Sequence, residues 1–111
     1  MKYIKPFFES LYRQINREEL LDRRRYGWDD FKPYELSWLR NFFNSSKSVK
    51  HRIVISNDFI EFYFGYSRSS SEIQKMSDKY FTVVLHDYDG LKFYECDEFE
   101  GLKQLLTEKI H

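Results

Sequence analysis

Two stretches, residues 52–66 and 79–96, alternate β-branched and aromatic residues around a short polar break, and each reads as a β-hairpin. The first runs Arg52-Ile53-Val54-Ile55-Ser56, then Asn57-Asp58, then Phe59-Ile60-Glu61-Phe62-Tyr63-Phe64. Asn and Asp tolerate the positive φ of a two-residue type I′ turn, so Asn57-Asp58 is the expected reversal. That turn sets Ile55 against Ile60 and Ile53 against Phe62 on an apolar face. Val54 then meets Glu61, and Arg52 meets Tyr63, on a mixed one. A slip of one residue would move every side chain to the other face, so the sorting itself fixes the register.

The second hairpin turns at Asp87-Tyr88-Asp89-Gly90, where Asp-Gly between apolar runs is a strong reversal signal. Phe81, Val83 and Leu85 share a face with Tyr94 and Cys96. The opposite face carries Thr82, Val84, His86, Leu91, Phe93 and Glu95. Neither face is plainly polar. The sheet is therefore covered on both sides or keeps an exposed aromatic patch.

Helical patterns flank the hairpins. Phe8, Leu11, Tyr12 and Ile15 recur at helical spacing behind Pro6, which suits a first helical turn. The phase slips afterwards, because Glu18, Glu19 and Asp22 occupy expected apolar positions while Leu20 and Leu21 do not. Asn16 with Glu19 forms a capping-box pattern, so residues 6–25 make either one bent helix or two short ones. Gly27 stops this segment. A further helix starts near Pro33, with Leu36, Leu39 and Phe43 as its stripe, broadened by Trp38 and Phe42, and ends around Asn44. Residues 67–78 read as a low-complexity connection, in which Ser71 and Gln74 can cap one helical turn. Asp97 and Glu100 resemble a capping box for a last helix bearing Leu102, Leu105, Leu106 and Ile110. Gly101 inside that helix costs about 1 kcal/mol relative to Ala, and allows close packing on the sheet.

At 111 residues the chain is expected to be one domain, residues 1–111. Short hairpin connections rule out a parallel core. The expectation is an α+β fold: an antiparallel sheet of about four strands, with N-terminal helices and one C-terminal helix packed mainly on one face.

Composition narrows the functional classes. Aromatics make up 20% of the chain, more than a core of this size demands, and Tyr and Trp anchor interfaces and stack on bases. The formal net charge is zero, which argues against strong non-specific attraction to nucleic acid or an anionic membrane. Charge is uneven, however. Residues 1–56 hold 12 Lys/Arg against 7 Asp/Glu, and the remainder holds 6 against 11. The halves either pair with each other or present separate faces. A lone Cys96 excludes an internal disulfide. The N-terminus lacks the apolar run of a signal peptide, and no stretch approaches 18 consecutive apolar residues, so a cytoplasmic protein without membrane association is expected.

No stretch carries a specific catalytic, metal or nucleotide signature. The three histidines, His51, His86 and His111, have no metal-ligand spacing, and no second Cys exists to build a zinc site. Asp87-Tyr88-Asp89-Gly90 shares Asp-x-Asp-Gly with a calcium loop but joins two strands and lacks the remaining oxygen ligands. His86, beside Asp87 and Asp89, is the side chain best placed for acid–base work, yet no nucleophile or oxyanion donor accompanies it. Cys96, among Glu95, Asp97 and Glu98, has nothing basic to stabilise a thiolate. Neither catalysis nor a cofactor is expected.

Two binding surfaces compete. Glu61, Tyr63, Asp87, Tyr88, Asp89, Tyr94, Glu95, Asp97 and Glu98 can form an acidic-aromatic face for a basic partner. Arg17, Arg23, Arg24 and Arg25, with Trp28, can instead grip phosphates and stack on a base. The first expectation is a small inhibitor, namely an immunity protein that neutralises a basic nuclease-like toxin. The alternatives are a phage-encoded inhibitor of a host or defence enzyme, and a nucleic-acid-binding protein.

Overall fold

A computed structural model describes residues 11–25, 27–49, 53–64 and 67–110. Pro6 and Phe8, His51 and His111, and Arg52 with the outer end of the first hairpin lie outside these residues. Strand β1 (Tyr12–Ile15) leads into helix α1 (Arg17–Arg24), followed by α2 (Pro33–Ser45), β2 (Ile53–Ile55), β3 (Phe59–Phe62), β4 (Ser71–Lys75), β5 (Phe81–Asp87), β6 (Gly90–Cys96) and α3 (Phe99–Lys109). The six strands of the described residues form one antiparallel sheet, in the order β1-β6-β5-β4-β3-β2. The α+β class stands, but the sheet is wider than the four strands expected from two hairpins.

The register of the first hairpin and the face assignment of the second follow the sequence pattern. Ile53 faces Phe62 and Ile55 faces Ile60. Val83 faces Tyr94 and Phe81 faces Cys96. The first turn differs in detail: no described non-glycine residue has positive φ, so Asn57-Asp58 is not a type I′ turn. The apolar sorting, not turn chemistry, sets that register. In the second turn Gly90 takes φ +112°, and the Asp89 amide donates to Asp87 Oδ1 at 2.8 Å.

The two added strands come from a segment read as helical and from a connection read as holding at most one helical turn. Tyr12–Ile15 pairs with β6, placing Arg13 opposite Glu95. An opposite-charge pair across strands rewards the extended conformation there. Asn16 nevertheless caps α1 as expected: its Oδ1 accepts the Glu19 amide at 2.8 Å, and Glu19 Oε1 accepts the Asn16 amide at 2.9 Å. Ser71–Lys75 is not a helical turn but a central strand between β3 and β5. Its polar side chains are satisfied from afar. Ser71 Oγ accepts the His86 amide at 2.9 Å, Glu72 accepts from Arg24 at 2.7 Å, and Lys75 Nζ donates to Glu35 Oε1 at 2.7 Å.

Helices cover both faces. The near face of the sheet holds the main core of Ile60, Phe62, Ile73, Phe81, Val83, Leu85, Tyr94 and Cys96. Helix α2 brings Leu39 and Phe43 onto it, with the Phe43 and Phe62 rings 4.8 Å apart. Helix α3 brings Leu102, Leu105 and Leu106 beside β1 and β6. Trp38 and Phe99 join the two helices edge to face at 5.9 Å. A Cβ on Gly101 would collide with the Leu11 carbonyl oxygen, so the glycine permits the approach of α3 to the start of β1. The far face is covered differently. Among the described residues α1 is the one helix there, over β5 and β6, and its small cluster contains Ile15, Leu20 and Val84 with Phe93.

Among the described residues no helix is long and apolar enough to cross a membrane.

Candidate functional site

The far face organises the polar chemistry of this protein. Its centre is Glu95, on β6, which is 2% exposed. Arg13 Nε donates to Glu95 Oε2 at 2.8 Å, Arg23 Nε donates to Oε1 at 3.1 Å, and the Tyr80 hydroxyl also donates to Oε1. Arg23 Nε donates to the Tyr80 oxygen as well, at 2.9 Å. Burial by itself raises the Glu95 pKa. The hydrogen bonds from Tyr80, Arg13 and Arg23 together outweigh it and hold the carboxyl below its ordinary range. Burial first, and then the bond to Glu95, pushes the Tyr80 hydroxyl up. Next to this cluster Arg24 donates from Nε to Thr82 Oγ1 at 3.1 Å and from Nη1 to Glu72 Oε1 at 2.7 Å.

These contacts resolve the charge asymmetry of the chain. Arg13–Glu95, Arg23–Glu95, Arg24–Glu72 and Lys32–Asp78 each join a cation of the basic half to an acid of the acidic half. On the near face a fifth pair, Lys75 with Glu35, joins the halves in the opposite sense and is wholly enclosed, at 0% and 1% side-chain exposure.

The expected acidic-aromatic face is therefore dispersed. Successive residues on a strand point to opposite faces, which separates Tyr94 from Glu95. Tyr94 is buried in the near-face core and Glu95 under α1, so neither offers a contact surface. Tyr88 projects at the tip of the second hairpin, 82% exposed. Asp87 and Asp89 beside it lie 3.8 and 3.4 Å from Lys92. Asp97 lies 3.7 Å from Arg13, and Glu98 is exposed as the N-cap of α3. Glu61 is half-buried on β3, opposite Val54 and Glu72. The expected nucleic-acid set divides as well. Arg23 and Arg24 already have acceptors, Arg25 caps the C-terminal end of α1, and Trp28 stands exposed in the connection to α2.

What the far face does assemble is a groove of about 580 Å³ beside α1. One wall is the helix stripe Arg17, Leu20, Leu21 and Arg24, spaced i, i+3, i+4, i+7. The floor comes from Val84 and His86 of β5 with Leu91 and Phe93 of β6. Tyr63, Glu72 and the β3–β4 connection at Arg68, Ser69 and Ser70 complete it. Leu21 and Leu91 are 55% and 43% exposed, two of the six exposed large apolar side chains among the described residues. Among the described residues neither Arg17 nor Arg68 has an ion-pair partner.

No family model, curated protein or solved structure matches this chain.

The site must accordingly be judged on its own chemistry. Among the described residues no group of three His, Cys, Asp or Glu is placed to hold a metal ion. His86 lies in the groove, its backbone amide bonded to Ser71 Oγ. Cys96 is enclosed in the near-face core, where burial pushes its thiol up, away from the reactive thiolate. The sequence patterns singled out Arg17, Arg24, Tyr63 and His86, but for three different purposes. They missed Leu21, Arg68, Leu91 and Phe93. The signal for Leu21 was present: once Asn16 starts a new helix, Leu20 and Leu21 fall between Arg17 and Arg24 on one stripe.

Proposed function

We propose that the protein acts by stoichiometric binding to another protein, as a small inhibitor of the toxin-neutralising kind, and that the groove beside α1 is its contact surface. The observation that carries this reading is the placement of exposed Leu21 and Leu91 on the same groove as Tyr63 and Phe93, bordered by charged side chains. Protein interfaces combine an apolar and aromatic centre with a polar rim in this way. Scattered apolar residues need no explanation, whereas a contiguous set lining one groove does. The toxin-neutralising class itself is an analogy from small size and a stoichiometric mode of action. The electrostatic logic differs from the acidic face expected from sequence, because Glu72, Glu95 and Asp78 already have cations of this chain as partners.

The test is co-expression with the products of the genes that flank this one. A partner is expected to co-elute at one-to-one stoichiometry, to lose its own activity or toxicity in the complex, and to be released by Leu21→Asp combined with Leu91→Asp. A set of flanking products none of which binds would remove the reading. So would a partner whose binding ignores both substitutions.

A further inference from the structure

We infer that the groove recognises a carboxylate side chain next to an apolar one, on an acidic segment of the partner protein. This rests on the reading of the groove as a protein-binding surface, and it adds the chemistry of what enters.

Arg24 forms one end of the groove's helical wall. Its Nε and Nη1 have acceptors in Thr82 and Glu72, but Nη2 is buried with no hydrogen-bond partner among the described residues. A buried donor without an acceptor is unfavourable, more so when it belongs to a cation. That nitrogen is enclosed by the fold, so the cations that a ligand in the groove can meet are Arg17 and Arg68, which have no ion-pair partner among the described residues. Arg17 stands seven residues earlier on the same stripe, about 10 Å along the axis at 1.5 Å per residue. Arg68 stands in the β3–β4 connection at the groove's border. Three guanidinium groups thus line one groove, against a single carboxylate, Glu72, that Arg24 already holds. The planar fork of a guanidinium matches the two oxygens of a carboxylate.

The apolar part of the groove selects the neighbour. Leu21, Leu91, Val84 and Phe93 offer hydrocarbon and ring surface between the cations. An acidic residue flanked by Leu or Phe satisfies both parts at once. A nucleic-acid strand fits less well. It needs a continuous track of cations along its phosphates, whereas the groove sets Leu21, Leu91 and Phe93 and the carboxylate of Glu72 among its arginines, and the net charge of the chain is zero.

The full chain, labelled with ¹⁵N, can be titrated with the peptide acetyl-Ser-Glu-Phe-Asp-Leu-Ser-amide, with its Gln/Asn counterpart, and with a twelve-residue oligothymidylate. The acidic peptide is expected to move the amide signals of Arg17, Leu21, Arg68 and Leu91. The amide counterpart should bind at least tenfold more weakly. Arg17→Glu combined with Arg68→Glu should abolish the shifts while leaving the melting temperature unchanged. Equal binding of the two peptides, shifts confined to other surfaces, or tighter binding of the oligothymidylate would overturn the inference. Its failure is separable from that of the wider reading. A flanking-gene partner that binds the double Arg variant as tightly as the native chain removes the carboxylate and keeps the protein partner. Absence of any partner removes the wider reading whatever the peptides do.

Discussion

The near and far faces of the sheet are closed by different physics. On the near face two helices of 13 and 11 residues lay Leu39, Phe43, Leu102, Leu105 and Leu106 onto strand residues that are almost wholly buried. On the far face one helix of 8 residues contributes a single buried leucine, Leu20. Guanidinium–carboxylate bonds to Glu95 and Glu72 do much of the remaining work there. A hydrophobic seal is non-directional and fills its space. A seal made of charge pairs is directional, and a short helix held by it at a few points leaves room alongside. The groove is that room.

The comparison can be broken most sharply on the near face. Glu35→Leu removes the counterion of Lys75 while leaving the ammonium enclosed, and should cost about 3–5 kcal/mol in urea unfolding. Adding Lys75→Met should return most of that loss, since an apolar pair of similar volume needs no compensation there. A double variant no better than the single one would show that the charge pair, and not merely its balance, organises the core.

Leucine truncation compares the two faces directly. Leu105→Ala and Leu20→Ala should both fall in the usual range of about 2–5 kcal/mol. Leu105 belongs near the top, in a fully enclosed core, and Leu20 near the bottom, in a cluster of four at the edge of a short helix. Equal losses would mean that the far face is sealed as tightly as the near one.

Glu95→Gln probes the charge-based seal, and should cost about 2 kcal/mol at neutral pH. Its signature is the pH dependence. In the folded chain the Glu95 carboxyl titrates below its ordinary range. It therefore stays ionised while the unfolded chain takes up a proton near the usual value of about 4.3. The stabilisation is complete above that value and disappears as pH falls through the lower folded one. Native and Glu95→Gln stabilities should accordingly converge in acid, measured as urea midpoints against pH. A constant gap across that range would show that Glu95 contributes shape rather than charge.

The smallest effect is expected in the groove. Arg17→Glu with Arg68→Glu touches no ion pair of the described fold, and should change stability by no more than about 0.5 kcal/mol. A larger loss would place these arginines in the scaffold and not on its working surface.

Much of this architecture was legible residue by residue. The register of the first hairpin and the faces of the second were, because a strand has a period of two and the turn lies a few positions away. The start of α1 was, because Asn16 and Glu19 satisfy each other across three residues. The stripes of α2 and α3 were, because Leu39, Phe43, Leu102, Leu105 and Leu106 recur at the helical period. Strand β4 was not. Ser-Glu-Ile-Gln-Lys has one apolar residue, and its burial is tolerable only because His86, Arg24 and Glu35 arrive from 15, 48 and 40 positions away. Strand β1 was hidden for a related reason. Tyr12 and Ile15 sit three apart in either conformation, and it is Glu95, 82 residues from Arg13, that rewards the extended one.

Local alternation and helical spacing thus specified, from the sequence alone, which segments reverse, which faces are apolar and where two of the helices lie. Tertiary structure alone decided which charges meet. A carboxylate such as Glu95 or Glu72 looks like a surface residue until a guanidinium from a remote segment compensates its desolvation, and the same pairing fixes α1 to one side of its sheet. The groove lies beside α1 because a helix of 8 residues, held to the sheet at those few points, leaves room along its edge.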